Sequence, residues 1–267
     1  MTAESRSIPL LQRLAPLLVG VFALGLWEAL VRLMEVPVFI LPAPSVILEA
    51  LFADLGGMAA SMWVTLRITL MAFLLSAVSG IGLAILFTQS RWIERALFPY
   101  AVTLQVTPVV AVAPLILIWV GIDQVNLALL ILAWIVGFFP VLSNSILGLK
   151  SADHNLRDLF RLYGASRLQT LVHLQLPSAL PHILAGLKIA GGLTLIGTVV
   201  AEFVAGSGGS TGLAWRIIEA GNRLQIPRMF AALLVLAALG ISLYGLLSFI
   251  ERRLLERWHE SARPAAR

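Results

Sequence analysis

Apolar runs long enough to cross a lipid bilayer recur six times along this chain of 267 residues, at roughly 14–34, 61–87, 96–120, 125–147, 179–204 and 229–250. A hydrocarbon core about 30 Å thick needs ~20 helical residues to span it. Inside lipid each backbone N–H and C=O must be satisfied within the segment, so a helix is the form open to every run. With 59% hydrophobic and 12% charged residues, the chain has too little polar surface to clothe a soluble globule. The expected fold is therefore all-α, one polytopic membrane domain of about six transmembrane helices over 14–251. The first run is longer than the apolar part of a signal peptide and no small-x-small cleavage pattern follows it, so it reads as a retained helix. The absence of cysteine excludes disulfides, thiolate metal sites and cysteine catalysis.

Between the fourth and fifth runs, within a loop of about 148–178, lies Asp158–Pro177, DLFRLYGASRLQTLVHLQLP. It mixes Asp158, Arg161, Arg167, Gln169, His173 and Gln175 with leucines and Phe160 and is too polar to enter lipid. Gly164 can adopt the left-handed conformation that ends a helix, and Ser166 can cap a second one. Pro177 and Pro181 then read as the close of that second helix and the start of the fifth span.

Basic residues fix an orientation. With six spans and an inner N-terminus, the segments 1–13, 148–178 and 252–267, with the turn after the second span, hold 13 of the 19 Lys and Arg, and the first two outer connections hold none. The positive-inside rule puts Asp158–Pro177 and both termini in the cytoplasm. The arginine-rich tail fits anchoring at an anionic inner leaflet better than nucleic-acid binding. Glu35–Ala60, with three prolines and no Lys or Arg, is an outer segment with a short surface helix over 45–52. The outer connection 205–227 carries a short amphipathic helix over 213–223, with Trp215 at the interface and Arg216, Glu219 and Arg223 in water. Its glycine run, 206–212, lacks the Lys of a phosphate loop.

Within the membrane, Pro108 and Pro114 should kink the third span and turn Gln105 and Thr107 toward a cavity, and Pro140 should do the same beside Asn144. Gly186, Ala190, Thr194, Thr198 and Glu202 recur every four residues on the fifth span. That stripe is either a close-packed subunit contact or a pore wall with Glu202 near its outer mouth. Lys188 reads as a snorkelling anchor, and Arg67 as either an interfacial residue or half of a charge pair. No Walker sequence, nucleophile elbow or histidine pair of a helical zinc site is present, so neither catalytic nor metal-ligating residues are expected.

An acidic residue at Asp158, then Leu159-Phe160, Gly164, Leu174 and Leu176-Pro177 resemble the EAA loop of the membrane subunits of bacterial ABC importers, with Leu159-Phe160 standing where the family has two alanines. The stretches Pro108-Val109-Val110, Pro114-Leu115-Ile116-Leu117-Ile118-Trp119, Gly121-Ile122-Asp123, Phe139-Pro140 and Asn144 are similar to permeases of nitrate, sulfonate and taurine importers. The resemblance implies an inner-membrane permease working as a homodimer by alternating access. It implies an ABC ATPase, in two copies, docked on Asp158, Leu159, Phe160, Arg161, Leu162, Tyr163, Gly164, Ala165 and Ser166. ATP and Mg belong to that partner, and this chain carries no cofactor. A periplasmic or lipid-anchored binding protein would meet Trp215, Arg216 and Glu219. Gln105, Thr107, Pro108, Asn144, Thr194, Thr198 and Glu202 would belong to the path. Similar permeases also serve pyrimidine vitamin precursors and riboflavin. A secondary transporter, the rival class, would need mid-membrane coupling carboxylates and an inverted repeat.

Overall fold

A computed structural model describes residues 10–205 and 211–256. The segments 1–9 and 257–267, and with them most of the N-terminal segment and tail, lie outside the described residues, as does most of the glycine run. The described residues form eleven α-helices and no strand. α1 (Leu10–Leu33), α3 (Leu55–Gln89), α6 (Val125–Lys150), α9 (Leu176–Ala205) and α11 (Ile226–Leu255) are each long and apolar enough to cross a membrane. α4 (Arg91–Val106) and α5 (Val109–Val120) meet at 104° and make a sixth crossing if counted as one span.

This break corrects the expected kinked third span. The ring of Pro108 disfavours helical geometry in the residue before it, and Thr107 is extended at φ −70°, ψ 122°, leaving α4 without a continuation. By contrast Pro99, Pro114 and Pro140 remain inside helices.

The shorter helices sit at the ends of the bundle. α2 (Pro44–Ala53) begins where a sequence-level surface helix was expected, and its N-terminus is held by Glu28 of α1. Ser45 donates its backbone N–H to Glu28 Oε2 at 3.0 Å and its hydroxyl to Oε1 at 2.8 Å, so a carboxylate meets the positive end of a helix. Arg228 Nη2 reaches Asp54 Oδ2 at 2.6 Å and ties the end of α2 to the start of α11.

The core is the trio α3, α6 and α9, and it is built on small residues. Ser76, Gly80 and Ala84 of α3 are buried at four-residue spacing and face α6. A Cβ placed on Gly80 would lie 2.9 Å from Val141 Cβ, and one on Gly186 would lie 2.7 Å from Asn144 Cβ and 3.1 Å from the Pro140 carbonyl. Helix backbones therefore approach until van der Waals contact is continuous, the form of attraction that remains in a solvent as apolar as leucine. Around this contact pack Phe87, Leu142 and Leu149 toward one end and Ala113, Leu129 and Leu132 toward the other.

Pro177 and Pro181 do not separate a loop helix from the fifth span. α8 (Arg167–Thr170) runs through a single π-turn, Leu171–Gln175, into α9, giving one unbroken helix of 39 residues. The wide turn supplies the slack that lets Pro177 enter a helix without a break, and Ser178 Oγ donates to the Leu174 carbonyl at 2.8 Å.

Overpacking the small-residue contact should be costly. Gly80→Val is expected to destabilise the protein by about 1–3 kcal/mol, lowering the unfolding midpoint followed by tryptophan fluorescence. Gly82→Ala, where an added Cβ meets open space, should leave the midpoint within experimental scatter.

Candidate functional site

The elbow begins where α6 ends. Arg157 donates Nη2 to the Leu149 carbonyl at 2.9 Å, closing the C-terminus of α6 and fastening α7 (His154–Leu162) beneath it. Asp153 caps α7 by accepting from the Asn155 N–H at 2.7 Å. The helix ends as its glycine predicts: Gly164 stands at φ +69°, its N–H donates to the Arg161 carbonyl at 3.0 Å, and the Ala165 N–H donates to that of Phe160 at 2.9 Å. This pair of bonds is the Schellman closure, and a left-handed residue is what makes it possible. Ser166 then opens α8 with a reciprocal capping box, Ser166 N–H to Gln169 Oε1 at 2.7 Å and Gln169 N–H to Ser166 Oγ at 3.2 Å.

No residue of α7 is buried. Asp158, Leu159 and Arg161 lie on the surface, Phe160 and Ala165 are partly covered, and Leu162 and Tyr163 are 85% and 82% exposed. Asp158 and Arg161 form only a loose surface pair at 3.6 Å. The expected docking residues, Asp158 to Ser166, thus lie together on a capped elbow on which Leu159, Leu162 and Tyr163 are left exposed among the described residues.

The other expected site residues are dispersed. Gln105 and Pro108 are exposed and Thr107 is half-buried, all at the break between α4 and α5. Asn144 is half-buried, with Nδ2 donating to the Pro140 carbonyl at 2.9 Å, so its amide is held against its own helix rather than offered to a cavity. Thr194, Thr198 and Glu202 have no exposed surface at all. The stripe on α9 is an internal helix contact of one protomer, which corrects both expected readings, subunit contact and pore wall: Thr69 Oγ1 donates to Thr198 Oγ1 at 3.1 Å, and the side chain of Gly137, were there one, would collide with Thr194.

Glu202 has a structural task at the opposite end of the bundle. Its Oε1 accepts from Thr65 Oγ1 at 2.8 Å, its Oε2 accepts from the Ala214 N–H at 2.9 Å, and Thr65 Oγ1 in turn accepts from the Leu213 N–H at 2.9 Å. The carboxylate therefore caps α10 (Leu213–Asn222), joining three elements. α10 lies on α11, α9 and α3 through buried Leu213, Ala214, Ile217 and Ala220. Trp215 is partly exposed; of the residues expected in water, Arg223 is exposed but Arg216 and Glu219 are only partly so. Arg216 Nε donates to Ser61 Oγ at 3.0 Å, and Glu219 is held by Arg216 at 3.5 Å and Arg223 at 3.0 Å.

Sequence reasoning missed one further contact. Lys188 does not snorkel; its Nζ meets Glu251 Oε2 at 2.7 Å, with the Tyr244 ring 5.4 Å away. Arg67 is exposed and makes no ion pair among the described residues, leaving the interfacial reading in place.

A bundle of membrane-length helices with a capped elbow at one end is the architecture of a polytopic membrane protein. Residues 76–256 match the family described as the binding-protein-dependent transport system inner membrane component, and the chain belongs to it; it is an ABC importer permease. It is 35% identical to the riboflavin transport system permease protein of Chloroflexus aurantiacus, with 88% of this chain and 86% of that one covered. It is 31% identical to the taurine transport system permease protein of Escherichia coli, with 93% and 92% covered. A solved amino acid ABC transporter with histidines shares the fold at a TM-score of 0.63 and 19% identity, over 77% of this chain and 97% of that one.

Removing the Glu202 carboxylate should unfasten the α10 end of the bundle. Glu202→Ala leaves Thr65 Oγ1 and the Ala214 N–H without their acceptor, a cost of about 1–3 kcal/mol for a buried group. The expected result is a lower unfolding midpoint and reduced folded yield. Uptake per folded molecule should fall far less than it would if Glu202 touched the solute.

Proposed function

We infer that two copies of this chain form the translocation path of an ATP-driven importer for a small anion of the alkanesulfonate, taurine or nitrate class, delivered by a binding protein. ATP is hydrolysed by a separate ATPase subunit, one docked on each copy at Asp158–Ser166. The observation that carries this reading is the elbow itself: an amphipathic, fully capped helix, anchored by Arg157, that leaves Leu162 and Tyr163 uncovered. Exposed apolar side chains grouped on one rigid helix suit a groove on a partner.

ATP-driven closure of the two ATPases displaces the elbows and re-tilts the spans attached to them, opening the path alternately to either side. Gln105, Thr107 and Pro108 suit a place along that path, since the broken α4–α5 pair leaves Gln105 and Pro108 exposed on the protomer with Thr107 half-buried between them. α10, with Trp215, Arg216 and Glu219, is the outer surface for the binding protein, and both termini lie in the cytoplasm. The solute class rests on relatives that transport taurine, aliphatic sulfonates and nitrate. A second reading, import of riboflavin or of a pyrimidine vitamin precursor, is favoured by relatives named for riboflavin and formylaminopyrimidine transport. Uptake of labelled taurine against labelled riboflavin in vesicles carrying the whole system decides between them.

Two experiments test the docking and the orientation. Leu162→Asp with Tyr163→Asp should remove the ATPase from the purified complex and abolish ATP-dependent uptake, while Gly164→Val, strained at positive φ by about 1–3 kcal/mol, should keep ATP hydrolysis but lose uptake. Retained uptake in both variants would overturn the docking site. Because the chain has no cysteine, Asn155→Cys and Glu49→Cys can be labelled singly. A membrane-impermeant maleimide should reach Glu49→Cys in intact cells and Asn155→Cys only in inverted vesicles.

A further inference from the structure

At the elbow end of the bundle, the last turn of α3, the first turns of α4, the end of α6 and the start of α7 enclose a cavity of about 780 Å³. Four cations line it, Arg91, Arg95, Lys150 and Arg157, against a single carboxylate, Glu94. Glu94 is already taken: its Oε1 lies 2.5 Å from Lys150 Nζ. Three guanidinium groups are left to bring uncompensated charge to one space. Arg91 and Arg95 stand one helical turn apart and make no ion pair among the described residues. Arg157 uses Nη2 on the Leu149 carbonyl, but its Nε is buried with no hydrogen-bond partner. A buried donor in that state costs about 1–3 kcal/mol unless something accepts from it.

The remaining lining is mixed. Phe98 and Pro99 expose apolar surface to the cavity, with Phe87 and Leu149 buried behind them, and Thr88 and Gln175 are polar. On the outer surface of α4, Trp92 and Tyr100 are 78% and 70% exposed, amphipathic rings of the kind that mark the headgroup level of a bilayer. A free anion would use the guanidinium side and leave the apolar side wet, whereas a molecule with a phosphate at one end and hydrocarbon at the other fits both.

We propose that this cavity seats an anionic phospholipid of the inner leaflet, its phosphate held by Arg91, Arg95 and Arg157 and its glycerol and upper chains lying on Phe98 and Pro99. Guanidinium forks match phosphate oxygens geometrically, and basic pockets between membrane helices on the cytoplasmic side are suited to such headgroups. The inference goes beyond the transport reading but rests on the orientation proposed with it, since only the cytoplasmic end faces that leaflet. Its location gives the lipid a role: Arg157 both fastens α7 to α6 and reaches the cavity, so a headgroup there braces the elbow against α4.

The test uses the assembled permease–ATPase complex in nanodiscs of phosphatidylcholine alone, of phosphatidylcholine with phosphatidylglycerol, or of phosphatidylcholine with inorganic phosphate in solution. Phosphatidylglycerol should raise the unfolding midpoint by several degrees and inorganic phosphate should not. The double variant Arg91→Gln with Arg95→Gln should lose that response while matching the wild type in phosphatidylcholine, and Arg252→Gln with Arg253→Gln, outside the cavity, should keep it. If the double variant does not fold, native mass spectrometry of the wild type and of Arg95→Gln replaces it, the single variant retaining less bound phosphatidylglycerol. Equal stabilisation by inorganic phosphate would mean a free-anion site and overturn the proposal. So would an absent lipid response, or release of the ATPase from the double variant, which would assign the arginines to an acidic surface of that partner. An absent response with the cysteine-labelling pattern intact overturns this inference alone.

Discussion

Everything in this protein depends on how closely three helices can approach one another. Lipid offers no hydrophobic gain for pressing one apolar helix onto another, so α3, α6 and α9 must cohere through dispersion and a few interhelical polar contacts. Gly80, Ser76, Gly137 and Gly186 bring the backbones within reach, and Ser76 Oγ adds a bond to the Trp134 carbonyl at 3.2 Å. Ridges that interlock this tightly have few alternative registers, and the trio is accordingly the rigid part from which the other helices hang.

The two ends of that rigid part are finished in opposite ways. At the α10 end polar groups are consumed internally: Glu202, Thr65 and the first N–H groups of α10 satisfy one another, and Glu28 does the same for α2. At the elbow end the backbone of α7 is capped at both termini, yet Leu159, Leu162 and Tyr163 are left exposed. An end with satisfied backbone and unsatisfied side chains is stable alone and ready for a partner. That asymmetry, more than the presence of helices, separates a working subunit from an inert anchor.

Much of this was legible in the sequence, for definable reasons. Span positions follow from length and apolarity, which are local, and Gly164 and Ser166 announce a helix stop and start through local chemistry. Three features were hidden. The break at Thr107-Pro108 reads as a kink because sequence shows that a proline disturbs a helix but not how far the next helix turns. The stripe from Gly186 to Glu202 shows its period but not its partner: the acceptor of the Thr65 hydroxyl lies 137 residues away along the chain. The pairing of Lys188 with Glu251 likewise spans 63 residues, and no local pattern encodes it.

The π-turn at Leu171–Gln175 amounts to one surplus residue in an otherwise regular helix. One residue is about 100° of rotation about a helix axis, so this insertion sets the azimuth of the start of the helix relative to the face that α9 buries in the bundle. Two surfaces answering to different constraints, one packed in the bundle and one uncovered beside the elbow, are thereby phased on a single rod. Regularising that turn would leave each surface chemically intact and aim them in mismatched directions.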